Sequence, residues 1–176
     1  MTMATGRTVD ASRMIRVDQA GEYGATRIYA GQLAVMGDRG PHADRIRAMA
    51  AQEEDHRRDF DALMARRGGR PTLLQPLWHV AGFALGAATA LIGPEAAMAC
   101  TAAIEQEIDE HYSRQLDALD GADPELESLI SGARDDEREH RETALELGAE
   151  RTLGFPLLSG AIRLGCRLAI GLSERI

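Results

Sequence analysis

The chain reads as a succession of long proline-free stretches in which apolar and charged residues are mixed, each ended by a glycine- or proline-containing break. The breaks fall at Gly37 to Pro41, Gly68 to Pro71, Gly93-Pro94, Gly121 to Pro124 and Gly154 to Pro156. They predict six helical segments. No run alternates apolar and polar residues with period two, so a sheet has no support and an all-α bundle is expected. Two stretches depart from the mixed pattern. Between Pro76 and Pro94, residues Leu77 to Ile92 carry no charge. This segment is shorter than the roughly 20 apolar residues of a spanning helix, which predicts a buried or interfacial helix. From Leu153 to Leu172 the only charges are Arg163 and Arg167, four residues apart on one face. Such a basic amphipathic helix can lie in an anionic membrane surface with its arginines reaching the headgroups.

Composition narrows the class. With 176 residues and 19.1 kDa the chain has room for one core and not for several domains. Aromatics reach only 4% while glycine occupies 18 positions, which favours closely packed helices. The net charge of −8 and pI near 5.1 argue against nucleic acid as a partner. That charge is unevenly spread. Residues 1–72, 73–104, 105–150 and 151–176 carry +2, −1, −12 and +3, so a net-positive C-terminal segment remains available to anionic lipid. All basic residues are arginine, from which no function follows. Cys100 and Cys166 form no C-x-x-C pair, which supports neither a thiolate metal site nor a disulfide scaffold and points to a reducing compartment. Residues 1–12 contain Arg7 as their one basic residue and no apolar run, and are expected to be a short tail without a signal peptide.

The charged halves repeat. When Glu22 is aligned with Glu105, Tyr29 falls on Tyr112, Gln32 on Gln115 and Leu33 on Leu116. Further on, Glu53-x-x-His56-Arg57 matches Glu137-x-x-His140-Arg141. This divides a single domain of residues 13–176 into two equivalent hairpins, 13–72 and 96–150. An apolar connecting helix over 73–95 joins them, and an amphipathic helix over 153–174 ends the chain. Residues three apart share a helix face, so each Glu-x-x-His can aim a carboxylate and an imidazole at one point. One glutamate from each of two helices and a Glu-x-x-His from each of the other two is the donor set of carboxylate-bridged di-iron or di-manganese bundles. The candidate metal ligands are therefore Glu22, Glu53, His56, Glu105, Glu137 and His140. Carboxylates can bridge two divalent ions, while neutral imidazoles anchor each one and leave positions open for oxygen chemistry. A single Glu-x-x-His is common on solvated helix faces. Two, each the same distance behind a repeat-equivalent glutamate, are much more specific.

Around this set, Asp136 next to Glu137 and Asp109 one turn after Glu105 are candidates to accept the free N–H of a ligating histidine. His111 and Tyr112, near the face of Glu105, could bond to a carboxylate, with an interhelical hydrogen bond as the plainer reading. His42, at a helix start, and His79, inside the apolar run, are read as structural. Gly21 and Gly24 flank Glu22 and could permit close helix approach there.

The stretches RMIRVDQAGEYGATRIYAGQ (Arg13 to Gln32), QEEDH (Gln52 to His56), ACTAAIEQEIDEHYSRQL (Ala99 to Leu116) and EREHRETALELGAE (Glu137 to Glu150) resemble the demethoxyubiquinone hydroxylases of ubiquinone biosynthesis. The resemblance extends from about Arg13 to the C-terminus. It implies a ferritin-like four-helix di-iron bundle with two additional helices, holding two Fe ions with Glu53 and Glu137 bridging. It also implies O2-dependent hydroxylation of the ring of 2-polyprenyl-3-methyl-6-methoxy-1,4-benzoquinol, whose tail would enter from the bilayer. Electrons would come from an external reductant, NADH or the quinol itself, since no G-x-G-x-x-G marks a nicotinamide site. The expected location is peripheral, on the cytoplasmic side of the cell membrane. A homo-oligomer or an accessory lipid-binding protein are further candidate partners. Two rivals share parts of this pattern: a ferritin-like iron oxidase, store or peroxide-reducing protein, and a metal-free membrane-associated scaffold.

Overall fold

The computed structural model describes residues 10–38 and 40–176. Among these there are six α-helices and no strand: α1 (Ala11–Met36), α2 (Ala43–Arg66), α3 (Gln75–Ile92), α4 (Pro94–Leu119), α5 (Pro124–Glu146) and α6 (Phe155–Ser173), with a 3₁₀ turn at Ala149–Arg151 before α6. The expected all-α architecture is present. Of the expected tail, residues 1–9, including Arg7, lie outside the described residues, and the chain is already helical at Ala11.

Local chemistry explains where the helices begin. The Asp10 carboxylate accepts from the Arg13 backbone N–H at 3.0 Å and caps α1; Asp123 does the same for Leu126 at 3.2 Å, with Pro124 in the first turn of α5. At the α3–α4 junction, Gly93 takes φ 155°, a backbone conformation closed to other residues, and Pro94 starts the next helix. Arg67 at the end of α2 pairs with Asp123 and Glu125 at the start of α5, tying the hairpins together at one end.

The long helices α1, α2, α4 and α5 form the four-helix body. α3 lies along α1, and α6 lies along α4, so each charged hairpin carries one apolar helix on its first member. The connecting helix is thus the counterpart of the C-terminal one. The α1–α3 packing is close because glycines line it: a Cβ on Gly86 would collide with the Ile28 carbonyl, and one on Gly31 with the Phe83 carbonyl. Gly21 and Gly24 do not play the expected role, since a Cβ at either meets nothing within 4 Å.

Both apolar helices remain open on their outer faces. On α3 only Gly86, Thr89 and Ala90 are buried, while Leu77, Val80 and Leu91 are exposed, so α3 is a surface helix and not a core helix. Along α6, Leu157, Leu164, Leu168 and Leu172 face outward. α6 is long and apolar enough to cross a membrane by length and composition, with a mean hydropathy of 1.3 over its most apolar stretch. Its arginines, Arg163 half-buried and Arg167 exposed, are engaged by carboxylates of the protein itself. Arg163 pairs with the buried Glu107 and with Glu110, and Arg167 reaches Glu107 at 3.1 Å, which fastens α6 to α4.

Candidate metal centre

The six expected donors converge in the middle of the four-helix body. Glu22 comes from α1, Glu53 and His56 from α2, Glu105 from α4, and Glu137 and His140 from α5. All are buried, His56 the least at 8% exposure. They form two groups whose donor atoms lie within 4.8 Å of one another: Glu22, Glu53, His56 and Glu137, and Glu53, Glu105, Glu137 and His140. Glu53 and Glu137 belong to both groups. Each group has three carboxylates and one imidazole, a donor set that could hold a metal ion.

Burying four carboxylates together is costly unless something compensates. Part of the compensation is visible. The Tyr29 hydroxyl donates to Glu105 at 2.8 Å, and the Tyr112 hydroxyl donates to Glu22, each tyrosine reaching across from the opposite helix of the α1–α4 pair. The rest is missing from the protein itself: Glu22 Oε2, both oxygens of Glu53, Glu105 Oε2, Glu137 Oε1 and His56 Nδ1 are buried without a hydrogen-bond partner. All of these atoms belong to the two donor groups, and divalent cations would satisfy them. The residues present fit a two-ion centre.

The imidazoles are aimed by their outer nitrogens. His56 Nε2 meets the Asp136 carboxylate at 2.9 Å, and His140 Nε2 meets the Gln52 side-chain oxygen at 2.9 Å. A proton on each Nε2 leaves Nδ1 as a lone pair facing the carboxylates, with His56 Nδ1 at 3.6 Å from Glu22 and His140 Nδ1 at 3.1 Å from Glu53. Asp136 thus stands where a histidine-orienting acid was expected. Asp109 does not; it pairs with Arg138 at 2.8 Å. His111 makes the plainer of its two expected contacts, an interhelical hydrogen bond to Asp18 at 3.0 Å, and also meets Gln115. His79 has an unforeseen partner in the Tyr23 hydroxyl at 2.6 Å, on the α1–α3 surface. His42 sits at the start of α2 with φ 66°. Sequence reasoning passed over Gln52 and Tyr29, although both carried a signal: Gln52 precedes Glu53 as Asp136 precedes Glu137, and Tyr29 is the repeat partner of Tyr112.

Burial and the neighbouring charges set the protonation of the metal-free centre. Burial, reinforced by Glu137, pushes the Glu53 and Glu105 carboxyls well above the usual range. Burial raises Glu137 too, but the imidazoles of His140 and His56 outweigh it and hold Glu137 at about 2. Burial lowers His56, yet Glu137 and Glu22 raise it to about 11. Between pH 5 and 8 the folded metal-free protein therefore binds more protons at Glu53, Glu105 and, above about pH 6.5, His56 than the unfolded chain does. Its stability should fall as pH rises through this window, since protons held by the folded protein must be given up. The opposite contribution of Glu137 is lost only below about pH 4.5. Urea unfolding of the metal-free protein measures this; stability that climbs from pH 5 to 8 would refute the assignment.

A groove of about 550 Å³ runs between α2 and α5. His56 and Asp136 are among its lining residues, together with Leu63, Leu129 and Ala133.

The profile of the family described as "Ubiquinone biosynthesis protein COQ7" matches residues 10–173. The chain belongs to this family. It is 56% identical over 164 residues to a Rhodospirillum rubrum protein named 3-demethoxyubiquinol 3-hydroxylase, covering 93% of this chain and 77% of that one. It is 49% identical over 183 residues to the human protein named NADPH-dependent 3-demethoxyubiquinone 3-hydroxylase, mitochondrial, covering 98% and 84%. With the Saccharomyces cerevisiae 5-demethoxyubiquinone hydroxylase, mitochondrial, it shares 43% identity over 180 residues, covering 93% and 77%. Membership in the COQ7 family agrees with the resemblance carried by the four local stretches.

Proposed function

We propose that this chain is a di-iron monooxygenase that hydroxylates the ring of 2-polyprenyl-3-methyl-6-methoxy-1,4-benzoquinol in ubiquinone biosynthesis. The observation that carries this reading is the convergence of four carboxylates and two imidazoles, with unpartnered atoms facing one another, inside a member of the COQ7 family. In the net reaction one oxygen atom of O2 converts a ring C–H to C–OH, and the other leaves as water with two electrons from an external reductant and two protons. NADH or the quinol itself is the proposed reductant; the human relative's name specifies NADPH. Two Fe ions, when bound, supply the electrons and open positions that O2 requires.

The chain's own residues prepare for that chemistry. Glu53 and Glu137, shared by both donor groups, are proposed to bridge the ions, while Glu22 with His56 and Glu105 with His140 hold one ion each. Tyr112 and Tyr29 fix the two outer carboxylates by donating to them. Asp136 and Gln52 hold the imidazoles in the tautomer that presents Nδ1 inward. Phe60, Ile104 and Met98, on the same helices as Glu53, His56 and Glu105, are buried and apolar. The exposed leucines of α6 and the apolar face of α3 suit a bilayer surface from which a polyprenyl tail can be drawn. These faces support a peripheral membrane location, for which the cytoplasmic side of the cell membrane is our proposal.

The test is direct. Purified protein loaded anaerobically with Fe(II) and given a demethoxyubiquinol, O2 and a reductant should return a product heavier by one oxygen atom. Iron oxidation with no ring hydroxylation would instead support the ferritin-like oxidase, and failure to take up iron would support the scaffold.

A further inference from the structure

Around the buried carboxylates the two halves of the molecule share several equivalent contacts. Each donor group has three glutamates and one imidazole, and Glu22 and Glu105 each receive a tyrosine hydroxyl from the opposite helix. Each imidazole passes its Nε2 to the residue preceding the glutamate of the other Glu-x-x-His. At that position the match breaks. His56 faces the carboxylate of Asp136 and His140 the neutral amide of Gln52, both at 2.9 Å. The geometry is shared and the charge is not.

An N–H donated to a carboxylate pushes electron density onto the opposite ring nitrogen and makes it a stronger metal donor, whereas an amide oxygen does this weakly. The extra negative charge also attracts a cation through space, tempered by the partial exposure of Asp136. Both effects favour the same position. We propose that Asp136 and Gln52 are positioning residues that make the two ion positions unequal. The first divalent cation then enters the group of Glu22, Glu53, His56 and Glu137, and is held more tightly than the ion in the group of Glu53, Glu105, Glu137 and His140. This inference rests on the metal-binding reading of the centre and adds an order of filling to it.

Two measurements on the full chain test it with Co(II) as the probe. Calorimetric titration of the metal-free protein should resolve two binding classes at least about tenfold apart, the lower end of what such outer partners contribute. Crystals prepared with one equivalent of Co(II) should show the anomalous peak beside His56. Asp136→Asn should weaken the tight class by about 10- to 100-fold and spread that peak over both positions. Gln52→Asp should act in the opposite sense, tightening the weaker class, so a variant that merely loosened the fold would not reproduce the pair of results. The proposal is overturned if the first ion sits beside His140, if the wild type fills both positions evenly, or if Asp136→Asn leaves the separation unchanged. No Co(II) binding by the wild type would remove the metal reading itself, an outcome distinct from even filling.

Discussion

Glu137→Ala is expected to empty the metal centre and reduce ring hydroxylation to background. Glu137 belongs to both donor groups, and its oxygens lie 3.5 Å from His56 Nδ1 and 3.2 Å from His140 Nδ1. Its removal therefore takes one carboxylate from each position and leaves three donors at each, whereas Glu22→Ala depletes only one position. After anaerobic Fe(II) loading, Glu137→Ala should retain less than about one ion per chain and Glu22→Ala about one, because tight binding of a hard divalent ion needs the full donor set. The helices should persist in both variants because the bundle is held by its two apolar clusters, although Glu137→Ala also removes the carboxylate that His56 and His140 face and should cost some stability. Iron analysis, product mass and far-ultraviolet circular dichroism separate these effects. Wild-type turnover in Glu137→Ala would exclude it from the ligand set.

The second large effect belongs to α6. Replacing Leu157, Leu164 and Leu168 together by Asp should abolish flotation with anionic liposomes. Their side chains are exposed, so the substitutions remove little internal packing. Burying a leucine side chain is worth about 1.5–3 kcal/mol, and losing three such contributions weakens membrane partitioning by about a thousandfold or more. Unchanged flotation would remove α6 as the membrane-binding element. Charge reversal at Arg163 and Arg167 is not an equivalent experiment. Both arginines pair with Glu107, which is buried at 1% exposure, so two introduced glutamates would face an unpaired buried carboxylate and damage the α4–α6 contact itself.

Those arginines show where sequence reasoning stopped. The amphipathic pattern of residues 153–172 correctly marks a helix with a large apolar face, and the +3 charge of the last segment suggests arginines free for anionic lipid. Whether an arginine meets lipid or protein depends on what lies beneath the helix. Glu107 and Glu110 are about 55 positions away in the chain and become neighbours only when α6 packs on α4. Asp109 failed for a related reason: it lies one turn from Glu105 on α4, yet Arg138 of α5 claims it before either histidine can.

The donor set was legible because its signals are local and repeated. Glu-x-x-His places two donors on one helix face whatever the helix packs against, and duplication with Glu22 and Glu105 supplies the remaining members. The orienting groups were only half legible. Asp136 drew notice as an acid beside a ligand, while Gln52, in the same place in the other half, carries no charge and did not. Tyr29 was visible in the repeat, but its hydroxyl is given a role only by Glu105, 76 residues away.

By itself the sequence determined the helix breaks, the all-α class, the internal repeat and the six residues that meet at the centre. Each depends on backbone conformation or on spacing within one helix, which glycine, proline and a 3.6-residue period govern directly. The tertiary structure alone decided that α3 and α6 occupy equivalent places on α1 and α4, that Arg163 and Arg167 pair with Glu107, and that the two histidines lean on partners of different charge. Those outcomes depend on how each helix rotates about its axis against its neighbours, and that rotation is settled by packing between segments far apart in the chain.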